Sequence, residues 1–293
     1  MFLPAAYKKE NEIQEEEVDF MKIEQVRAVY FSATGTTEKV VTAAARAAAE
    51  ALGVAVVVND FTLPAARESA LHFGPEELVF FGVPVYAGRV PNLLMPYVRD
   101  MVRGENTLAV PVVLFGNRNF DDGLIELRNL LQANGCRTIA AGGFVGEHSF
   151  STVLGAGRPD AEDMALAVQL GHTAAQRAAA LEEAPAEPVK VRGEEPIRPY
   201  YTPRDRAGNP VNILKVKPKT SDACTKCGLC AKVCPMGSIS KENPAEVPGI
   251  CIKCCACVKK CPVGAKYYDD AGYLYHQHEL EEGFARRAAV ELF

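Results

Sequence analysis

The sequence predicts an α/β protein: a doubly wound parallel sheet of five strands, followed by a small α+β domain organised around cysteines. Two observations lead there. From Val26 to about residue 182, short apolar runs alternate with helical stretches, the pattern of successive βα units that bury strands on both faces. Nine of the ten cysteines then fall between residues 224 and 261, leaving Cys136 alone before them. A chain of 293 residues, 48% hydrophobic and 24% charged, can hold one large domain or two smaller ones.

Other classes fall away on composition. No apolar run approaches the roughly 18 residues of a membrane helix, and the opening MFLPAAYKK lacks the basic and apolar regions of a signal peptide. A cytoplasmic chain is expected. A net charge of -5 gives no basic field for nucleic acid. Residues 1–20 alone carry -4, with Glu10, Glu12, Glu15, Glu16, Glu17 and Asp19 against two lysines, and read as a solvated, disordered acidic arm. Met21 directly precedes the first strand, so start-codon choice is an equal explanation of that arm.

The first domain is expected over 21–182. Its strands are 26–31 (VRAVYF), 54–58 (VAVVV), 78–83 (LVFFGV), 108–115 (LAVPVVLF) and 138–145 (TIAAGGFV), with helices at 38–52, 92–103, 123–134 and 160–182. Pro111 lacks a ladder donor and belongs near a strand start or bulge. Residues 60–77 carry no helical period, so that crossover is short or irregular. Asp160 and Asp163 at the last helix start read as an N-cap, and Cys136 as an inert core thiol.

Ligands of such sheets bind beyond the carboxyl ends of the strands. After the first strand comes Ser32-Ala33-Thr34-Gly35-Thr36-Thr37, neither a dinucleotide fingerprint nor a P-loop. Its hydroxyls and the backbone N–H groups around Gly35, at a helix N-terminus, make a nest for a phosphate monoester; an ordinary Ser/Thr-capped turn fits the same residues. Pro84 to Pro91, with Tyr86 beside Ala87 and Gly88, and Gly116 to Asp122, with Phe120, supply aromatic rings and polar groups able to sandwich a planar heterocycle. His148 follows the fifth strand, as a proton donor to such a ligand or as a structural hydrogen bonder. Arg89 and Arg118 are candidate charge partners for the ligand or for surface acids.

Residues 183–217 are rich in proline and charge and read as a linker, though the paired tyrosines of PIRPYYTPR suggest that part of it packs on a domain. Beyond it, Cys224, Cys227, Cys230 and Cys234 form C-x2-C-x2-C-x3-C-P, and Cys251, Cys254, Cys257 and Cys261 repeat it. Three thiolates of each run wrap one cubane while the fourth reaches the other. Cluster I then takes Cys224, Cys227, Cys230 and Cys261, and cluster II takes Cys251, Cys254, Cys257 and Cys234. Structural zinc also uses C-x2-C pairs, but two pairs per ion and without the final Cys-Pro. Cys255 breaks the spacing and reads as a bystander. Ten lysines between 211 and 268 face three acids, a formal +7, which offsets cluster charge, raises cluster potentials or steers an acidic redox partner. The tail, 269–293, is expected to be helical.

Residues 218–268 resemble a bacterial-type ferredoxin with two [4Fe-4S] clusters. S-x-T-G-x-T after the first strand, with the aromatic loops, resembles flavodoxin, and from about Met21 the chain is similar to the flavodoxin/ferredoxin fusion proteins of anaerobic bacteria. GVPVYAGRVP, FGNRNFDDGLIEL and GEHSFSTVLGAGRPDAED carry the same likeness. It implies FMN, with Ser32, Thr34, Gly35, Thr36 and Thr37 on the phosphate and Pro84, Val85, Tyr86, Ala87, Gly88, Asn117, Arg118, Phe120, Asp121 and Asp122 around the isoalloxazine. The chain has no tryptophan, so Tyr86 and Phe120 would stand where many flavodoxins stack one. FMN handles one or two electrons and each cluster one, so the expected function is electron transfer between the clusters and FMN, with another redox protein as donor or acceptor. Two alternatives stand beside it: an FMN oxidoreductase reducing a small acceptor, with His148 or Tyr86 as proton source, and an iron-sulfur sensor or maturation partner.

Overall fold

In the computed structural model, which describes residues 21–293, strand β1 (Gln25–Tyr30) runs into helix α1 (Thr36–Leu52) and strand β2 (Ala55–Asp60). After a short 3-10 turn come β3 (Leu71–Phe73), β4 (Glu77–Pro84), helix α2 (Met95–Met101), β5 (Val102–Gly104) and β6 (Thr107–Phe115). Helix α3 (Gly123–Ala133), β7 (Cys136–Thr138), β8 (Gly142–Val145) and α4 (Ala161–Ala179) complete the unit. The acidic arm assigned to 1–20 lies outside the described residues.

The long strands pair in parallel in the order β2-β1-β4-β6-β8, which is order 2-1-3-4-5 and the flavodoxin-like doubly wound fold. Alternation with period two divides the strands between two cores. Val26, Ala28, Leu78, Phe80, Leu108 and Val110 face α1 and α4; Val29, Phe31, Val79, Phe81 and Val113 face α2 and α3.

Three sequence expectations are corrected. The helix expected over 92–103 is only Met95–Met101, because residues 102–104 are drawn into a parallel pair with β3. The strand expected over 138–145 breaks at 139–141, where Ala141 bonds Phe293 in both directions. Pro111 is mid-strand rather than at a start or bulge: the Ala109 carbonyl two residues earlier accepts from Ile139, so the donorless Pro111 nitrogen faces that same break.

The segment expected as a linker is a strap over the first domain. Val189 donates to the Thr138 carbonyl at 3.1 Å, Tyr201 to the Ala87 carbonyl at 2.8 Å, and the Tyr200 hydroxyl to the Val90 carbonyl at 2.8 Å. Asp122 anchors it, accepting from Glu194 N, Arg198 N and the Arg198 guanidinium at 2.6–3.0 Å. Arg198 holds the Asp122 carboxyl down at about 2, against the opposing effect of its burial. A depressed carboxylate stabilises above its unfolded pKa, so strap stability is complete above pH 4 and is lost as pH falls toward 2. Asp122→Ala is expected to cost on the order of 2 kcal/mol, discounted because Arg198 is half exposed, and to flatten that acid limb in chemical denaturation.

The iron-sulfur domain follows, with β9 (Lys219–Thr220), helices α5 (Leu229–Lys232) and α6 (Ala256–Lys259), and β10 (Lys266–Tyr267) antiparallel to β9. The tail is helical only over α7 (Ala271–Gly283) and ends in β11 (Glu291–Leu292), an antiparallel strand on β8. Its last residues pair with the sheet edge, which overrides the expected continuous helix. No helix among the described residues is long and apolar enough to cross a membrane.

Candidate functional site: two cysteine cavities beside a phosphate cradle

The two C-x2-C-x2-C loops fold alike. Lys226 and Lys253, before the middle cysteines, have φ of 55° and 58°, and Gly228 and Cys255, after them, have φ of 73° and 58°. Left-handed turns on both sides of each middle cysteine wrap the chain inward. Lys226 N donates to the Cys224 sulfur and Lys253 N to the Cys251 sulfur, both at 3.4 Å. Cys255 therefore stands where the first run has glycine. Its thiol lies 3.4 Å from the Tyr273 hydroxyl, and burial pushes it up to about 11.

The loops enclose two cavities of similar size. One is lined by Cys224, Cys227, Cys230 and Cys261; the other by Cys234, Cys251, Cys254 and Cys257, with Cys255 at its wall. These are the interleaved sets expected from the spacing. Four cysteines around each cavity suit a cubane, whose four irons each take one thiolate. Burial pushes the Cys257 thiol up to about 12 and Cys254 higher still, so loading iron must displace protons held by these sulfurs.

The second cavity lies against the carboxyl ends of the sheet. Cys254 and Ala256 belong to the core that also holds Phe31, Phe81 and Val113. Arg67, after β2, donates to the Pro235 carbonyl at 2.5 Å. Lys259 on α6 pairs with Glu147 and donates to the His148 and Ser151 carbonyls at 2.7 and 3.0 Å. Burial raises the Tyr86 phenol well above its ordinary range, and the neighbouring Cys254, Cys255 and Cys251 act in the same direction. The two tyrosines beside this cavity, Tyr268 and Tyr273, stack at 4.2 Å, with the Tyr268 hydroxyl 3.5 Å from the Cys251 sulfur.

The residues expected to hold a phosphate follow one another from the end of β1 into the first turn of α1. Gly35 caps α1 with φ 96° and no side-chain cap. The Ser32 hydroxyl accepts from Glu38 N, while the N–H groups of Thr34, Gly35, Thr36 and Thr37 have no acceptor among the described residues. Four unpaired donors at the positive end of a 17-residue helix are what an anion needs. Nothing lies within 4 Å of where a Gly35 Cβ would stand, so the cradle is open.

The ring side fits less of the expected set. Phe120 is fully buried, edge-on to Phe115, with Arg192 at 4.0 Å over its ring, and offers no face to a ligand. Asn117 spends its side chain on the tail, donating to the Phe284 and Arg286 carbonyls and accepting from Ala288 N. Asp122 holds the strap, and Arg118 pairs with Asp121 while lying over Tyr201. Arg89 likewise pairs with Glu126. In the earlier loop Pro84, Val85 and Tyr86 lie partly open, and the N–H groups of Ala87 and Gly88 have no acceptor among the described residues. The fit for a flavin thus rests on the cradle and on 84–88.

His148 is a structural hydrogen bonder here. Its Nδ1 accepts from Phe150 N at 3.1 Å, and burial, with His276 and Lys259 nearby, pushes it down to about 3. A histidine depressed in the fold binds its proton more readily unfolded, so it favours folding fully above about pH 6.5 and progressively less as pH falls toward 3. His148→Gln should therefore leave the pH dependence of cofactor reduction between pH 7 and 8 unchanged; a lost inflection there would restore it as a proton donor.

Residues 218–240 match the 4Fe-4S binding domain family Fer4. No curated protein matches the chain. Among solved structures, it is similar to a flavodoxin from the domain Archaea, at 12% identity over 53% of this chain and 98% of that one, TM-score 0.40. A Streptococcus pneumoniae TIGR4 flavodoxin shares 18% over 52% and 98%, TM-score 0.37. Rubredoxin oxygen:oxidoreductase from the anaerobe Desulfovibrio gigas shares 17% over 54% and 37%, TM-score 0.38. Strand order carries the fold independently of these likenesses. The chain joins a flavodoxin-like domain, defined by its strand order, to a region that matches the 4Fe-4S binding domain family.

Proposed function

We propose that the protein is a cytoplasmic electron carrier that passes single electrons between two [4Fe-4S] clusters and FMN, and between them and a separate redox protein. The observation that carries this reading is the packing of the Cys234/Cys251/Cys254/Cys257 cavity against the carboxyl ends of the strands, which present Tyr86 and the open cradle. Ser32 and Thr34–Thr37 would hold the FMN phosphate, and Pro84–Gly88 would meet its ring, with the Ala87 and Gly88 N–H groups toward its polar edge. FMN when bound supplies exchange of one or two electrons at a single site, and the clusters supply one-electron steps. The chain's own part is to fix geometry. Lys259, Arg67 and the strap hold the iron-sulfur domain on the first domain, and N–H···S bonds favour the more negative cluster state.

Anaerobic purification with iron, sulfide and flavin assays, followed by stepwise reduction monitored by optical and EPR spectroscopy, tests the proposal. About eight irons and one FMN per chain, with coupled-cluster signals and flavin reduction through the clusters, are expected. Full iron with FMN absent and not restored by addition would make the first domain a docking scaffold and refute the proposal.

A further inference from the structure

The turns that close the two cysteine runs follow the same backbone course and differ in charge at one position. Cys234-Pro-Met-Gly-Ser-Ile239 and Cys261-Pro-Val-Gly-Ala-Lys266 turn alike: Gly237 and Gly264 have φ of 60° and 62°. Ser238 N donates to the Cys234 sulfur at 3.3 Å and Ala265 N to the Cys261 sulfur at 3.2 Å. At the next position Ile239, 5% exposed, lines the Cys234/Cys251/Cys254/Cys257 cavity. Its counterpart, Lys266, is 2% exposed and lines the Cys224/Cys227/Cys230/Cys261 cavity.

A buried ammonium is costly unless an opposite charge faces it. The Lys266 ammonium donates to the Pro244 carbonyl, and no carboxylate among the described residues pairs with it. Four thiolates on a cubane supply the missing negative charge, and an added electron deepens it, so a fixed cation at the wall favours the reduced cluster. Isoleucine at the equivalent wall does nothing of the kind. Lys253 is also buried, but its ammonium turns to the Leu214 and Cys251 carbonyls at 2.9 and 3.1 Å and does not line the second cavity. Lys259, nearer that cavity, is neutralised by Glu147.

We propose that Lys266 is the counter-charge of the Cys224/Cys227/Cys230/Cys261 cluster and makes it the electron-accepting member of the pair. The inference rests on the two-cluster reading above. One electron leaves the other cluster, oxidising it by one, and reduces this one by one; no bond or proton moves. Cys227 of the accepting set is exposed, whereas no cysteine of the other set is, so the electron comes to rest where an external partner can reach it.

The test is an anaerobic redox titration of the full-length protein followed by EPR, with iron counted in every variant. The unmodified protein should show about eight irons and two separate cluster potentials. Lys266→Ile, which copies the other run, should lower the upper potential by at least tenfold in the reduction equilibrium, about 59 mV for one electron, with iron retained. Lys266→Arg should keep it. Lys266→Met serves the same purpose if the isoleucine variant loses iron. About eight irons with an unmoved upper potential, or both potentials falling together, would overturn the inference alone. So would a larger effect from Lys253→Met on the upper potential. About four irons and a single potential in the unmodified protein would overturn the two-cluster reading with it.

Discussion

Gly35→Val is expected to remove FMN from the purified protein while leaving its iron and sulfide unchanged. Gly35 holds φ 96° at the N-cap of α1, a left-handed conformation that a β-branched residue adopts only with strain. Relaxing it swings the N–H groups of Thr34–Thr37 out of convergence, and the new methyls project into the open space over the cradle. Charge-assisted bonds contribute about 1.5–3 kcal/mol each, so losing two lowers FMN affinity on the order of 100-fold or more. Fluorescence titration of flavin-stripped protein measures it. Affinity equal to that of the unmodified chain would place the phosphate elsewhere.

Cys230→Ala is expected to do the opposite, lowering iron from about eight toward about four per chain while FMN stays bound. The iron-sulfur domain has only a small core of its own, Cys230, Ala231, Ile239 and Cys257, two of them proposed ligands. Cluster binding is therefore much of its folding energy, as in other small metal-dependent domains. The sheet keeps two large cores of its own, so protease should cut the variant within 218–268 first. Loss of FMN with iron intact would invert the assignment of cofactors to domains.

What could be read in advance followed from periodicity and spacing. Alternation along LVFFGV and VRAVYF marks buried strands without knowledge of their neighbours, and the spacing of the cysteine runs names the four cysteines that line each cavity, three from one run and the fourth from the other. The ring-side residues behaved differently. Asn117, Phe120 and Asp122 look like ligand groups on a loop after a strand, yet their partners are Phe284, Arg192 and Arg198, between 72 and 167 residues away. Nothing in FGNRNFDD distinguishes a side chain kept for a ligand from one taken by a distant strap. Lys266 was visible only as one of ten lysines; its burial against a cavity emerges when the two runs are laid over one another.

Because the strap binds the first domain at Asp122 and the tail returns to β8 at Glu291–Leu292, the iron-sulfur module is held at both ends, like an inserted loop rather than a pendant. A pendant module samples a range of separations and must wait for a close encounter before each transfer. On the proposed reading the gap between the redox sites is an attribute of the folded state, and the expected result is a transfer rate independent of solvent viscosity. The same return strand covers the outer edge of β8 and leaves only the two residues of β11 as the edge on that side, too short a strand to template pairing with a neighbouring chain.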